Sequence, residues 1–246
     1  MKTLSLLTLI VTLFTACQST PIISETEHQN NTIQIPTDSS QLLVVTTPNW
    51  NEKNGILQRY EKHNTHWEKV GHTIPIVLGR NGLGWGKGLH ETPKNAPYIK
   101  HEGDGKAPAG LFRIGHAFGY NPLPFDIDLP YSVYKTTDHC VDDSHSKWYN
   151  QIVDSTTATQ DYKSFEHMKL ENHLYKYGLT INHNPDNMAN DGSCIFMHIW
   201  DGTQNGTAGC TTMIEDEIIE LLKWIDEKRK PLLLQLPIEE MPKLNP

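Results

Sequence analysis

Residues 195–210 read IFMHIWDGTQNGTAGC, and this stretch is the most informative part of the chain. Its first six residues are apolar apart from His198, which is typical of a buried β-strand. A turn rich in Gly, Asn and Thr follows, and the chain then returns at Gly209 and Cys210. A connection of this length can bring the end of one strand next to the start of another. We therefore expect the His198 imidazole and the Cys210 thiol to lie close together.

This pair of side chains is suited to nucleophilic catalysis. A free thiol with a pKa near ~8.5 is only a few per cent thiolate at neutral pH, so an adjacent imidazole is needed to accept its proton. Gly209 allows a tight turn before the thiol, and nearby backbone N–H groups are available to stabilise an oxyanion. The alternative is a buried structural Cys beside a hydrogen-bonded His. The Gly and the small residues around Cys210 favour catalysis, with His198 as the base.

The rest of the chain predicts a mainly β fold. β-type runs occupy residues 42–47, 55–61, 66–70, 73–78, 178–183, 193–200 and 232–236. Apolar residues at helical spacing, from Ile218 to Ile225, predict one helix over residues 215–230, with acidic residues at its start and basic residues at its end. Residues 121–162 have no periodic pattern, and the first part of residues 164–177 is compatible with a short helix.

Two motifs resemble those of a known family. The spacing of His198 and Thr207-Ala208-Gly209-Cys210 resembles the catalytic motif of L,D-transpeptidases of the YkuD type, a His followed by Ser/Thr-x-Gly-Cys. Residues 106–112 resemble that family's T-P-x-G-x-F strand, and the likeness covers roughly residues 42–236. The resemblance implies a β-sandwich of mixed sheets with a small helical part.

The same resemblance implies a site and a reaction. Cys210 would be the nucleophile, His198 the general base, Gly209 would shape the oxyanion site and Thr207 would support it. Arg80, His183 and Trp200 are further candidates for substrate contacts. His183 is also compatible with a purely structural role.

The implied substrates are peptidoglycan stem peptides, with no cofactor. An amine acceptor would make the chain a transpeptidase, and water would make it an L,D-carboxypeptidase. Ala208 stands where the family often has His, and Thr212 stands where it usually has Arg. These departures keep open a third alternative, a lipoprotein that binds the cell wall without catalysis.

The N-terminus predicts export and lipidation. Lys2 is followed by an apolar run over residues 4–14, too short to span a bilayer, and then by Thr-Ala-Cys17. This resembles a lipoprotein signal, so we expect a signal peptide over residues 1–16, a lipidated tether over residues 17–40 and a catalytic domain over residues 41–246. The expected location is the periplasmic face of the envelope. Because Gln18 rather than Asp follows Cys17, the resemblance to enteric lipoproteins favours the outer membrane.

The cysteine count and the composition indicate the state of the thiols and argue against nucleic-acid and metal binding. With Cys17 lipidated, three cysteines remain in an oxidising compartment, which indicates one free thiol and either a Cys140–Cys194 disulfide or two further free thiols. A net charge of -8 with no basic stripe argues against nucleic acid. The thirteen His residues form no H-E-x-x-H motif, so we expect no metal site. We expect a monomer.

Overall fold

The predicted β-runs pair into one large mixed sheet and one small sheet in the computed structural model, which describes residues 33–241. The strands are β1 Gln41–Thr47, β2 Asn54–His63, β3 His66–Val77, β4 Leu83–Trp85, β5 Ala107–Gly119, β6 Tyr131–Val133, β7 Asp138–Val141, β8 Ile152–Asp154, β9 Phe165–His167, β10 Tyr177–Ile181, β11 Phe196–Ile199, β12 Thr211–Met213 and β13 Leu232–Pro237. The helix α1 spans Glu215–Trp224, and 3-10 turns occupy Glu227–Arg229 and Ile238–Glu240. The prediction of a mainly β fold with mixed sheets and one α-helix is confirmed for this range.

The large sheet closes on itself. Its strand order is β10-β11-β12-β3-β2-β1-β13-β5-β4, and β10 also pairs with β5. Eight strands therefore form a ring, with β4 and β6 attached to β5. Leu42, Leu111, Phe112, Leu179 and Leu234 belong to the core formed by these strands and are fully buried. Closure leaves these strands few free edges and fixes β11 and β12, which carry the candidate site, within the ring.

The helix α1 packs its apolar side onto β10 and β11. Ile218, Leu221 and Leu222 are fully buried, as the periodicity predicts. The helix is shorter than the predicted 215–230, because Asp226 is extended and its N–H donates to the Gln41 side chain. A tertiary hydrogen bond therefore ends the helix where local propensity would continue it.

A second sheet of order β8-β7-β9 forms within residues 138–167. The region predicted to be irregular thus contains β6, β7 and β8. The short helix considered for the start of residues 164–177 is wrong, since Phe165–His167 is a strand paired with β7. A disulfide between Cys140 and Cys194 joins this small sheet to the segment that leads into β11. Of the two alternatives that the sequence left open for Cys140 and Cys194, a disulfide or two free thiols, the structure has the disulfide.

The folded region begins before the predicted boundary at Gln41. Ile33 is buried against the core, and Ser39 is buried and donates a hydrogen bond to the Lys230 carbonyl. Residues 33–40 thus pack on the domain rather than forming part of a tether. The predicted signal peptide and Cys17 lie outside the described residues. Across residues 33–241, no helix is both long and apolar enough to cross a membrane.

Candidate active site

Two neighbouring strands bring the predicted pair to one face of the sheet. The strands β11 and β12 are parallel, with Met197 opposite Thr211 and His198 opposite Thr212. Cys210 comes just before β12 and is therefore level with Phe196. Since side chains alternate along a strand, His198 and Cys210 point to the same side, two residues apart along the strands. The structure thus brings the nucleophile and base candidates into one region.

The Cys210 sulfur lies in a buried environment. The residue is 5% exposed, the Phe196 N–H donates to Sγ at 3.3 Å, and Sγ lies 3.6 Å from the Cys194 carbonyl oxygen. Burial raises the pKa of the thiol above its usual range, and the charge of Glu166 raises it further. The resting thiol is therefore protonated. Within residues 33–241, its hydrogen-bond partners are backbone atoms and the Tyr175 hydroxyl, not the imidazole.

The His198 ring is held in one tautomer. Nδ1 lies 2.8 Å from the Ile199 carbonyl oxygen, which can only accept, so Nδ1 carries the proton. In a neutral ring Nε2 is then unprotonated and can accept a proton. Burial lowers the pKa of His198 to about 4, against the opposing effect of the Ile199 and Leu174 carbonyls. The imidazole is therefore neutral at physiological pH, as a general base must be.

Tyr175 connects the two candidates. Its ring lies edge-on to His198, with centroids 4.7 Å apart, and its hydroxyl donates to Glu166 Oε2 at 2.7 Å. The same hydroxyl lowers the pKa of Cys210 when its proton points to the sulfur instead. Tyr175 is buried and was not among the residues predicted for the site. It lies within residues 164–177, where the sequence has no clear helix or strand pattern, so no local pattern indicated its role.

Lys100 is a second residue that sequence reasoning missed. It is 4% exposed and donates to Asp104 Oδ1 and the His101 carbonyl, both at 2.7 Å. A Cβ placed on Gly209 would lie 3.9 Å from the Lys100 side chain. The positive charge of Lys100 lowers the pKa of Cys210. A lone Lys in a loop carries no signal for this position.

The turn before Cys210 is tightly ordered. Thr207 Oγ1 donates to the Cys210 carbonyl at 2.6 Å and accepts from the Gly209 N–H at 3.1 Å. A Cβ on Gly209 would meet the Lys106 carbonyl oxygen at 3.0 Å and the Ile195 side chain at 3.1 Å. Close packing rather than an unusual backbone angle therefore favours Gly here. Thr207 and Gly209 together fix the approach to the thiol.

The other predicted contacts differ in position. Arg80 is exposed, and its backbone N–H donates to the Thr207 carbonyl at 2.8 Å, so the residue lies beside the turn before Cys210. His183 is buried, accepts from the Lys87 N–H and lies 3.0 Å from the Asp191 carbonyl, so both ring nitrogens are engaged. Trp200 is partly exposed at the end of β11. Substrate contacts by these three residues stay predictions.

A cleft of about 920 Å³ lies between the small sheet and strands β5 and β10. Arg113, His116, Cys140, Cys194 and Phe196 are among its lining residues. Cys210 and His198 do not line it. The cleft nevertheless reaches Cys194 and Phe196, whose backbone atoms contact the Cys210 sulfur.

Comparison with known proteins decides the family. The L,D-transpeptidase catalytic domain, YkuD, matches residues 60–234. This chain belongs to the YkuD family. Family members act on peptidoglycan stem peptides and are generally enzymes. No curated protein matches the chain.

Two solved structures are similar to this chain at a low level. The helical cell shape determining protein Pgp2 from Campylobacter jejuni has a TM-score of 0.42 and 15% identity, covering 85% of this chain and 51% of that chain. A mutant of the same protein has a TM-score of 0.40 and 16% identity, covering 86% and 52%. This chain thus spans about half the length of either structure.

Two departures from the YkuD motif can now be placed. Ala208 is exposed on the turn before the thiol. Thr212 is buried in β12, and its hydroxyl donates to the Val77 carbonyl at 3.1 Å. Position 212 therefore lies inside the sheet, and Lys100 is a buried cation near the thiol.

Proposed function

We propose that this YkuD-family chain is a cysteine acyltransferase acting on peptidoglycan stem peptides, with Cys210 as nucleophile and His198 as general base. The observation that carries the proposal is the placement of both side chains on one face of adjacent strands, in contact with the same Tyr175 side chain. Family membership supplies the substrate class.

The chemistry follows from two neutral groups. Because burial keeps Cys210 protonated and His198 neutral, the thiol proton moves to Nε2 as sulfur attacks the carbonyl of the diaminopimelate residue. The imidazolium then returns the proton to the departing D-alanine amine, leaving a thioester on Cys210. We propose that a backbone N–H at Cys210 stabilises the oxyanion, because the Gly209 N–H already donates to Thr207 Oγ1.

The thioester has two fates. An amine of a second stem peptide forms a cross-link and restores the thiol, whereas water releases a shortened stem. The first outcome is transpeptidation and the second is L,D-carboxypeptidase activity. We propose transpeptidation as the main activity, with hydrolysis as the alternative at the same thioester.

One observation favours a binding protein without catalysis. The thiol is buried, and within residues 33–241 it makes no hydrogen bond to the imidazole. A structural Cys would have these properties too. The alternative is therefore a cell-wall-binding protein that retains the fold and no thioester chemistry.

Incubation with purified tetrapeptide stems is expected to produce a thioester adduct on Cys210. A cross-linked dimer would identify transpeptidation, and a tripeptide with free D-alanine would identify hydrolysis. Intact-mass spectrometry measures the adduct, and chromatography measures the products. The Cys210→Ala variant, as the matched control, should give neither. Binding of the stem with no adduct and no product in the unmodified chain would identify the binding-only alternative.

We also propose that the chain is anchored to the outer membrane through lipid on Cys17, facing the periplasm. Acyl chains on a single Cys are sufficient for stable anchoring when more than one is attached. Cys17→Ser is expected to move the chain from the membrane fraction to the soluble fraction on cell fractionation. The Cys210→Ser variant should remain with the membrane. Retention of the Cys17→Ser chain in the membrane fraction would contradict lipidation.

A further inference from the structure

Tyr175 links a half-buried acid, Glu166, to the candidate nucleophile. Its hydroxyl donates to Glu166 Oε2 at 2.7 Å, and its ring packs against Phe196, whose N–H donates to the Cys210 sulfur. Tyr175 and Cys210 belong to the same buried cluster, and a hydrogen bond from the Tyr175 hydroxyl favours the thiolate. Strand pairing places Glu166 opposite Cys140, beside the disulfide that leads to β11. The path from acid to sulfur therefore passes through one hydroxyl group.

We propose that Glu166 is a positioning residue whose charge, acting through Tyr175, controls how readily Cys210 forms a thiolate. This rests on the proposed function, because it concerns the thiol assigned there as nucleophile. Nothing in the catalytic motif indicates Glu166.

A tyrosine hydroxyl has one proton to donate. When Glu166 is ionised, a charge-assisted hydrogen bond holds that proton at the carboxylate, and the negative charge opposes a thiolate nearby. When Glu166 is protonated, it can donate to the Tyr175 oxygen, and the Tyr175 proton becomes available to the sulfur. Neutral Glu166 therefore favours the thiolate, and charged Glu166 suppresses it.

The groups around Glu166 make its carboxyl ionise near neutral pH. Burial raises the pKa of Glu166 to about 7, with the charges of Asp142 and Glu102 acting in the same direction and the Tyr175 hydrogen bond opposing them. Glu102 is itself held by hydrogen bonds from Tyr149 and Ser193.

The cation Lys100 acts on the sulfur rather than on the acid. Lys100 lowers the pKa of Cys210, but its ammonium is bonded to Asp104. Within residues 33–241, no cation contributes to the shift in the pKa of Glu166. The charge on Glu166 is therefore left unneutralised beside the thiol.

The test is the pH dependence of Cys210 alkylation in Glu166→Gln. Iodoacetamide labelling of the full chain is quantified on the Cys210 peptide by mass spectrometry, which separates it from Cys17. The variant should react about tenfold faster than the unmodified chain at pH 8.5, a ratio that corresponds to a shift of about one pKa unit. The ratio should fall to about one at pH 5.5, with a midpoint near pH 7.

The control is Glu68→Gln, which changes an exposed Glu on β3 and should give a ratio of about one at every pH. Tyr175→Phe should reduce the effect of Glu166→Gln in the double variant, since the hydroxyl is gone. If Glu166→Gln does not fold, loss of the inflection near pH 7 in Tyr175→Phe tests the same link.

The inference would be overturned by a ratio near one at pH 8.5 in folded Glu166→Gln, by a ratio independent of pH, or by an undiminished effect without Tyr175. Absence of Cys210 labelling in every folded variant would do the same. The alkylation readout needs no stem peptide. A chain that never forms a thioester yet shows the pH-dependent ratio would contradict the proposed function alone.

Discussion

Replacing His198 with alanine is expected to slow acylation of Cys210 by about 10²- to 10⁴-fold, the usual contribution of a general base. The effect should be large because burial raises the pKa of the thiol, so attack requires a proton acceptor. Nδ1 of His198 is committed to the Ile199 carbonyl, which leaves Nε2 for this task. The measurement is the rate of adduct formation on Cys210 with a carbapenem, followed by intact-mass spectrometry.

The pH profile gives an independent check on the same residue. Burial lowers the pKa of His198 to about 4, so its base form persists as the pH falls and is lost only near that value. Acylation should therefore decline on the acid side below about pH 5 rather than near ~6.5, where an unperturbed imidazole titrates. His72→Ala, which changes an exposed His paired with Glu217, should leave both rate and profile unchanged. An adduct rate insensitive to His198 would remove it as the base.

The sequence could predict the local part of this site. His198, Thr207, Gly209 and Cys210 lie within one strand–turn–strand unit, so spacing and turn composition were sufficient to place them together. The start and apolar face of α1 were likewise predictable, because helical periodicity is a local property.

Contacts between distant segments could not be predicted. Tyr175, Glu166 and Lys100 reach the site from separate loops and a small sheet, and none has a sequence pattern of its own. The predicted end of α1 was wrong for the same reason. The Gln41 side chain, which is distant in sequence, accepts a hydrogen bond from the Asp226 N–H. Closure of the ring through β5 and β10 is also a long-range pairing. Single-sequence patterns report on neighbours along the chain and not on these contacts.

The Cys140–Cys194 disulfide explains how the small sheet stays in place. The two cysteines are separated by 54 positions and are both buried, and Cys194 has a left-handed backbone with φ 54°. A non-Gly residue in this region is strained unless its surroundings hold it. The carbonyl of the same residue contacts the Cys210 thiol. The crosslink therefore restrains the backbone directly beside the candidate nucleophile.

The double variant Cys140→Ser, Cys194→Ser is expected to lose about 4 kcal/mol of unfolding free energy, as loop-closure entropy predicts for a loop of this size. Urea unfolding followed by circular dichroism measures the change. Reductant should lower the stability of the unmodified chain by a similar amount and leave the double variant unchanged, which separates loss of the crosslink from the effect of the serines. A loss below about 1 kcal/mol would show that strand pairing alone holds the small sheet, since it falls outside the usual effect of removing a native disulfide. The lost restraint on Cys194 should also change the alkylation rate of Cys210, because the sulfur's hydrogen-bond partner is then free to move.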